Sequence, residues 1–310
     1  MKNFKALDGK TIYFQEWLPV EEPQAVVQII HGMAEHSGSY EELSLYLVKR
    51  GYAVYCNDHR GHGQTAGNQE DYGYLADNDG WQLLLDDLHQ LSDIISDKYH
   101  HVPFFLYGHS MGSSLAQGYL LEWGESVDGV ILSGTPIQSG ILLSIGKKIA
   151  KREISKNGAR YRSRRLSDLS FGSYNRKFKK PETAYDWLSR DKEKVAAYIA
   201  DPYCGGTFTS GFFYDMMGGM QSLCNTDKMK NIPHDLAFLF ITGERDAVNS
   251  NARGVWKRIQ FYERHGFFDI EAIFYPDSRH DLKLELNREM IFADMVTWLK
   301  SKVTDWLKQS

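Results

Sequence analysis

L-Y-G-H-S-M-G-S-S, from Leu106 to Ser114, follows the short apolar run V-P-F-F (Val102 to Phe105). It precedes a segment whose Leu115, Tyr119 and Leu120 recur at helical spacing. The central G-H-S-M-G therefore stands where a strand turns sharply into a helix, the setting required of a nucleophile elbow. In so tight a turn, a side chain two residues either side of the serine would strike neighbouring backbone, which accounts for Gly108 and Gly112. The turn strains Ser110 and lifts its hydroxyl above the sheet, at the positive end of the helix dipole. The plainer alternative is a glycine-flanked turn with an incidental serine. The strand before it and the helix after it speak against that.

Working outward, strand-like runs occur at Thr11 to Leu18, Ala25 to Ile30, Tyr52 to Cys56, Val127 to Ser133, Leu236 to Gly243 and Glu271 to Tyr275. Helical stretches alternate with them, near Glu41 to Arg50, Trp81 to Ile95 and Leu284 to Leu307. The alternation indicates an α/β chain with a mostly parallel central sheet flanked by helices. Functional groups in such sheets collect at the carboxyl ends of the strands. Between Ser133 and Leu236 about a hundred residues pass without a convincing strand, far more than a loop in an α/β unit needs. That gap predicts an inserted helical cap at 136–230, with the core formed by 1–135 and 231–310.

A chain of 310 residues is long enough for this plan. A net charge of −4 argues against nucleic acid as the main partner. The polar start M-K-N-F-K-A-L-D-G-K has no signal-peptide character, and no run of eighteen apolar residues exists to span a bilayer. Cys56, Cys204 and Cys224 lack metal-ligand spacing and read as reduced thiols in a cytoplasmic protein. His59 and His62 share one loop, but the glycines around them favour a tight turn over a metal site.

A serine hydroxyl becomes a useful nucleophile only when a base takes its proton and a third group orients that base. The elbow architecture places these in the order Ser, acid, His. His280, in the loop after the last strand, is the expected base. His265 precedes a glycine at a helix end and reads as a helix-terminus residue. Asp246 in G-E-R-D-A-V-N is the expected acid, with Glu244 and Asp277 as rivals. An oxyanion needs two preorganised donors. The N–H of Met111 follows the nucleophile, and that of Met33 follows His31-Gly32 at the end of an apolar strand. His109 is expected to pack beneath the elbow and His36 to brace the Met33 loop.

H-G-M-A-E-H-S-G-S-Y, D-H-R-G-H-G-Q-T, G-H-S-M-G, G-E-R-D and S-R-H-D, in this order, resemble the monoacylglycerol lipase and lysophospholipase branch of the α/β-hydrolases. The likeness runs from about Gly9 to Trp298 and is weakest in the cap. It implies the α/β-hydrolase fold, a Ser110–Asp246–His280 triad, Met33 and Met111 as oxyanion donors, and carboxylic-ester hydrolysis without a cofactor. The implied substrate is a small ester or monoacyl lipid. An aminopeptidase on the same fold would need acids to hold a substrate's amino terminus, for which the cap offers Glu182, Asp186, Asp191 and Glu193. A catalytically dead binding module would be expected to have lost part of the triad. Dehalogenases and epoxide hydrolases of this fold carry aspartate where Ser110 stands.

Two features of the cap bear on the substrate. The stretch T-F-T-S-G-F-F-Y-D-M-M-G-G-M supplies Phe208, Phe212, Phe213, Met216 and Met217, adaptable apolar side chains suited to an acyl chain or to a small core. From Lys147 to Lys180 there are thirteen Lys or Arg against two acids, Glu153 and Asp168. Such a run is usually a solvated face. Here it predicts contact with anionic lipid surfaces.

Overall fold

The computed structural model of the chain describes residues 1–136, 139–178 and 180–309. Strands and helices follow one another as β1 (Lys2–Lys5), β2 (Thr11–Trp17), β3 (Ala25–Ile30), α1 (Glu41–Val48), β4 (Tyr52–Asn57), α2 (Gly63–Ala66), α3 (Gly80–Tyr99) and β5 (Phe104–His109). Next come α4 (Met111–Trp123), β6 (Gly129–Ser133), α5 (Gly140–Asn157), α6 (Arg164–Phe171), α7 (Lys192–Ala200) and α8 (Ser210–Ser222). The chain closes with β7 (Ala237–Gly243), α9 (Arg253–Arg264), β8 (Ile270–Tyr275) and α10 (Arg288–Gln309).

The strands form one sheet in the order β1-β2-β4-β3-β5-β6-β7-β8. β1, β2 and β4 pair antiparallel, and every pair from β4 through β3 to β8 is parallel. Central strands read as continuous apolar runs because both faces are covered. Along β5 to β7 the side chains alternate. Leu106, Val130, Leu132, Phe238 and Phe240 face α3, α4 and α9, while Phe105, Tyr107, Ile131, Leu239 and Ile241 face α1 and α10. Each such buried side chain contributes about 1.5–3 kcal/mol. On α3 the expected stripe Leu84, Leu88, Leu91 and Ile95 is buried, and the helix runs past the expected end to Tyr99.

Helices α5 to α8 all lie between β6 and β7, where the missing strand pattern predicts an insertion. α5 and α8 pack closely enough that a Cβ on Gly146 would stand 2.6 Å from the Met217 sulfur. Gly219 of α8 lets Trp81 of α3 approach, since a Cβ there would stand 1.8 Å from the indole. β1 was not expected. It is a short edge strand whose only apolar residue, Phe4, is half-buried, so it carries no alternating signal.

Candidate active site

β5 ends at His109, and α4 begins at Met111. Ser110 between them has φ 52° and ψ −118°, a conformation that costs energy for any residue with a side chain. The glycines permit the turn. A Cβ on Gly108 would lie 2.5 Å from the Gly112 carbonyl oxygen, and one on Gly112 would lie 1.9 Å from the Ile30 oxygen.

Ser110 Oγ is 2.9 Å from His280 Nε2, and His280 Nδ1 is 3.0 Å from both oxygens of Asp246. Both partners are buried. Asp246 is oriented by the Val248 N–H at 2.8 Å and by Asn249 Nδ2 at 2.7 Å. With both carboxylate oxygens facing it, Nδ1 carries the proton and leaves Nε2 free to accept from the serine. The rivals fall elsewhere. Glu244 is exposed, Asp277 lies exposed 3.7 Å from Arg245, and His265 Nδ1 bonds the Phe261 carbonyl at the end of α9.

Met111 is the first residue of α4, so its N–H has no partner within the helix. Met33 lies in the loop after β3, whose peptide planes are fixed from the core. His31 Nδ1 donates to the Gly32 carbonyl at 2.7 Å, and in a trans peptide the Met33 N–H points the opposite way. The His59 N–H donates to His31 Nε2 at 3.0 Å, which sets that tautomer. Glu35 accepts from the Gly32 N–H, from the Tyr40 hydroxyl at 2.6 Å and from Lys283 at 2.7 Å. Lys283 also meets Asp281 at 2.5 Å. Burial opposes ionising Glu35, yet the Lys283 ammonium outweighs it and holds the carboxyl well below its usual range. This buried Glu35–Lys283–Asp281 group was not read from the sequence, because Glu35 lies 248 residues from Lys283.

Two cavities meet at Ser110 and Met33, with Phe171 and Trp187 between them. The first, about 220 Å³, is apolar and is lined by Leu142, Leu169, Phe212, Phe213, Met216 and Met217 among others. The second, about 280 Å³, carries Glu35, His109, Asp168, Tyr185, Tyr198 and Asp281. Of the five cap residues expected to hold substrate, four line the apolar cavity. Phe208 is the correction. Its ring packs 5.1 Å from His62 and 5.4 Å from Tyr72, behind Phe212 and away from both cavities.

The histidine loop is structural. The His31 and His59 rings lie 3.8 Å apart at a tilt of 33°, His59 Nε2 donates to the His31 carbonyl, and His62 Nδ1 donates to the Arg60 carbonyl. His36, Asp201 and Cys204 are close enough to share a metal ion. However, His36 Nδ1 accepts from the Gly38 N–H, so Nε2 holds a proton and donates to Asp201 at 2.9 Å. Burial also pushes the Cys204 thiol up to about 12, which keeps it protonated in this arrangement. The cluster is a hydrogen-bonded latch between the Met33 loop and the cap. His109, expected beneath the elbow, instead lines the polar cavity, its ring 4.9 Å from that of His280.

Burial depresses four imidazoles: His31 falls well below 6.5, His59 to about 3, and His62 and His109 to about 4. They stay neutral in the fold but charge near 6.5 once unfolded, so stability is lost as pH falls from 6.5 towards 4. Asp87 and Asp215, pushed up to about 6 by burial, release protons on unfolding and offset part of this. Calorimetric unfolding near pH 5 should show a net uptake of about two protons, a loss of about 3 kcal/mol per pH unit. A melting temperature flat between pH 7 and pH 5 would contradict the neutral burial of these rings.

Residues 21–287 match the family Hydrolase_4, described as serine aminopeptidase, S33. The monoacylglycerol lipase of Mycolicibacterium smegmatis is 25% identical over 305 residues, covering 96% of each chain. The monoglyceride lipase of Rattus norvegicus is 29% identical over 299 residues, covering 96% of this chain and 89% of its own. A thermostable carboxyl esterase from Bacillus coagulans, solved with glycerol, superposes with a TM-score of 0.90 at 26% identity, covering 97% of this chain and 98% of its own. With a family match over most of its length, a mostly parallel sheet of this topology and these relatives, the chain belongs to the Hydrolase_4 family and is a monoacylglycerol lipase-like α/β-hydrolase, a carboxylic ester hydrolase.

Proposed function

We propose that this hydrolase cleaves monoacyl glycerol esters through an acyl-enzyme on Ser110. The observation that carries the reading is the pairing of an apolar and a polar cavity on either side of one activated serine. In this reading His280 takes the Ser110 proton, Asp246 holds the imidazolium, and the Met33 and Met111 N–H groups receive the oxyanion. The acyl chain enters the apolar cavity beneath a cap formed by residues 136–230 over the core of 1–135 and 231–310. Ile137 and Gln138 lie outside the described residues.

The leaving alcohol would occupy the polar cavity. Its wall presents Glu35, Asp168 and Asp281, while the nearby cation Lys283 is engaged by Glu35 and Asp281. That charge suits an uncharged glycerol and opposes a phosphate, which favours monoacylglycerol over anionic lysophospholipids. The aminopeptidase alternative draws no support from the four cap acids. Glu182 pairs with Lys192, Asp186 caps the 182–183 turn, Asp191 caps α7 and meets Arg288, and none of the four lines either cavity.

Contact with a lipid surface is part of the proposal. Ile141, Leu142, Ile145 and Leu169 are exposed, and the last three line the apolar cavity. Lys148, Lys151, Arg164 and Arg165 are exposed on the same two helices. Arg160 and Arg162 are not free for this role. The first pairs with Asp71 at 2.7 Å, and the second donates to the Thr207 and Gln69 carbonyls. Lys179 lies outside the described residues.

One experiment addresses substrate and surface together. Monoacylglycerol is offered in neutral or anionic vesicles, beside lysophosphatidate and an amino-acid p-nitroanilide. Monoacylglycerol should be the best substrate, turned over faster on anionic vesicles at low salt, because each basic residue near such a surface is worth about 1 kcal/mol. Changing Lys148, Lys151, Arg164 and Arg165 to Gln should remove the vesicle preference and leave a soluble short-chain ester unaffected. Preferential cleavage of the anilide would overturn the substrate reading, and equal rates on both vesicles would overturn the surface reading.

A further inference from the structure

The Met33 loop is held from two sides. From the core, His31 fixes the Gly32 carbonyl, as described above. From the cap, the Tyr198 hydroxyl donates to the Ala34 carbonyl at 2.8 Å, and the Gly205 N–H donates to the same oxygen at 2.9 Å. The Gly205 N–H also lies 3.2 Å from the Tyr198 oxygen, so the hydroxyl accepts from one end of the clamp and donates to the other. The Gly205 carbonyl is in turn held by the Tyr72 hydroxyl at 2.5 Å.

Ala34 needs such a clamp. Its φ of 65° lies in the left-handed region, where a residue with a Cβ is strained unless its surroundings hold it. The strained residue directly follows Met33. If Ala34 relaxed towards negative φ, the Met33–Ala34 peptide would rotate, turn the Met33 backbone and through it shift the Gly32–Met33 peptide that carries the Met33 N–H. The hydrogen bonds to the Ala34 oxygen are therefore the part of the cap best placed to govern the chemistry.

We propose that Tyr198, a cap residue, is a positioning residue for the oxyanion hole, acting through the Ala34 carbonyl to keep the Met33 N–H aligned. The inference rests on the reading of Met33 as an oxyanion donor. It adds that the alignment is supplied by the cap as well as by the core. The role is independent of the leaving group, because the oxyanion forms in both acylation and deacylation.

Tyr198→Phe removes the hydroxyl and keeps the ring, so folding should be preserved. Losing an oxyanion donor outright costs about 10²–10³-fold in kcat, so misaligning one should cost about tenfold. The expected result is a tenfold lower kcat on both p-nitrophenyl butyrate and monoacylglycerol, with KM nearly unchanged. Phenylboronic acid, whose tetrahedral adduct on the serine places an oxygen in the hole, should bind more weakly by the same factor. The Tm should stay within about 2 °C. A normal kcat, a loss seen only with monoacylglycerol, or unchanged boronate affinity would each overturn the proposal; the second would mean that the hydroxyl serves the leaving glycerol instead. Ser110→Ala reports on the nucleophile alone. An inactive Ser110→Ala beside a normal Tyr198→Phe therefore removes this inference and leaves the esterase reading intact.

Discussion

Replacing Ser110 with alanine is expected to lower kcat on any ester by at least about three orders of magnitude. The hydroxyl is the one group at the junction of both cavities that stands 2.9 Å from an imidazole nitrogen able to take its proton. Alanine also relieves nothing in the strained turn, since it keeps the Cβ that a φ of 52° strains. Fold and melting behaviour should therefore stay close to wild type. A fluorophosphonate should label Ser110 in the unmodified enzyme, and mass spectrometry of the labelled peptide identifies the site. Labelling of another serine, or an alanine variant that keeps most of its turnover, would remove the nucleophile from the proposal.

Asp246→Asn should be nearly as damaging, with a loss of up to about four orders of magnitude in kcat. Asparagine can turn an NH₂ group towards His280 Nδ1. That nitrogen then becomes an acceptor, its proton moves to Nε2, and Nε2 can no longer receive one from Ser110. Space is not the difficulty, because the two side chains are nearly the same shape. Circular dichroism should be unchanged while activity is lost. Glu244→Gln, at an exposed position outside the relay, should be close to normal. The reverse pattern, a mild Asp246→Asn and a severe Glu244→Gln, would reassign the acid.

Much of this was legible because it is local. The strand, turn and helix around Ser110 announce themselves by periodicity and by two glycines, and the long interval without a strand gives away the insertion. Loops at the carboxyl ends of β7 and β8 pointed to Asp246 and His280, since topology limits where partners of an elbow serine can sit. What stayed hidden depends on direction or distance. Phe208 and Phe212 are the same residue type four positions apart, yet one supports the wall that the other forms. Arg160 and Arg162 looked like surface charge, and their partners at Asp71 and Gln69 lie about ninety residues away. The Tyr198 clamp on Ala34 spans 164 residues and has no local signature. β1 was missed because a short, mostly polar edge strand resembles an unstructured start.

Gly112 sets a dimension of the catalytic machinery. A single added carbon there would stand 1.9 Å from the Ile30 oxygen and 2.6 Å from the His31 oxygen, where ordinary contact begins at 3.4 Å. The start of α4 and the end of β3 are thus in backbone contact, with Met111 on one side and Met33 shortly beyond the other. The distance between these two backbone segments is a gauge fixed by the absence of a methyl group, whereas the aim of the Met33 amide is the part proposed to depend on the Tyr198 clamp. Cap side chains lining the apolar cavity can then be exchanged for larger or smaller ones without resetting that gauge. The choice of acyl group is free to drift while the geometry proposed to receive the oxyanion stays put.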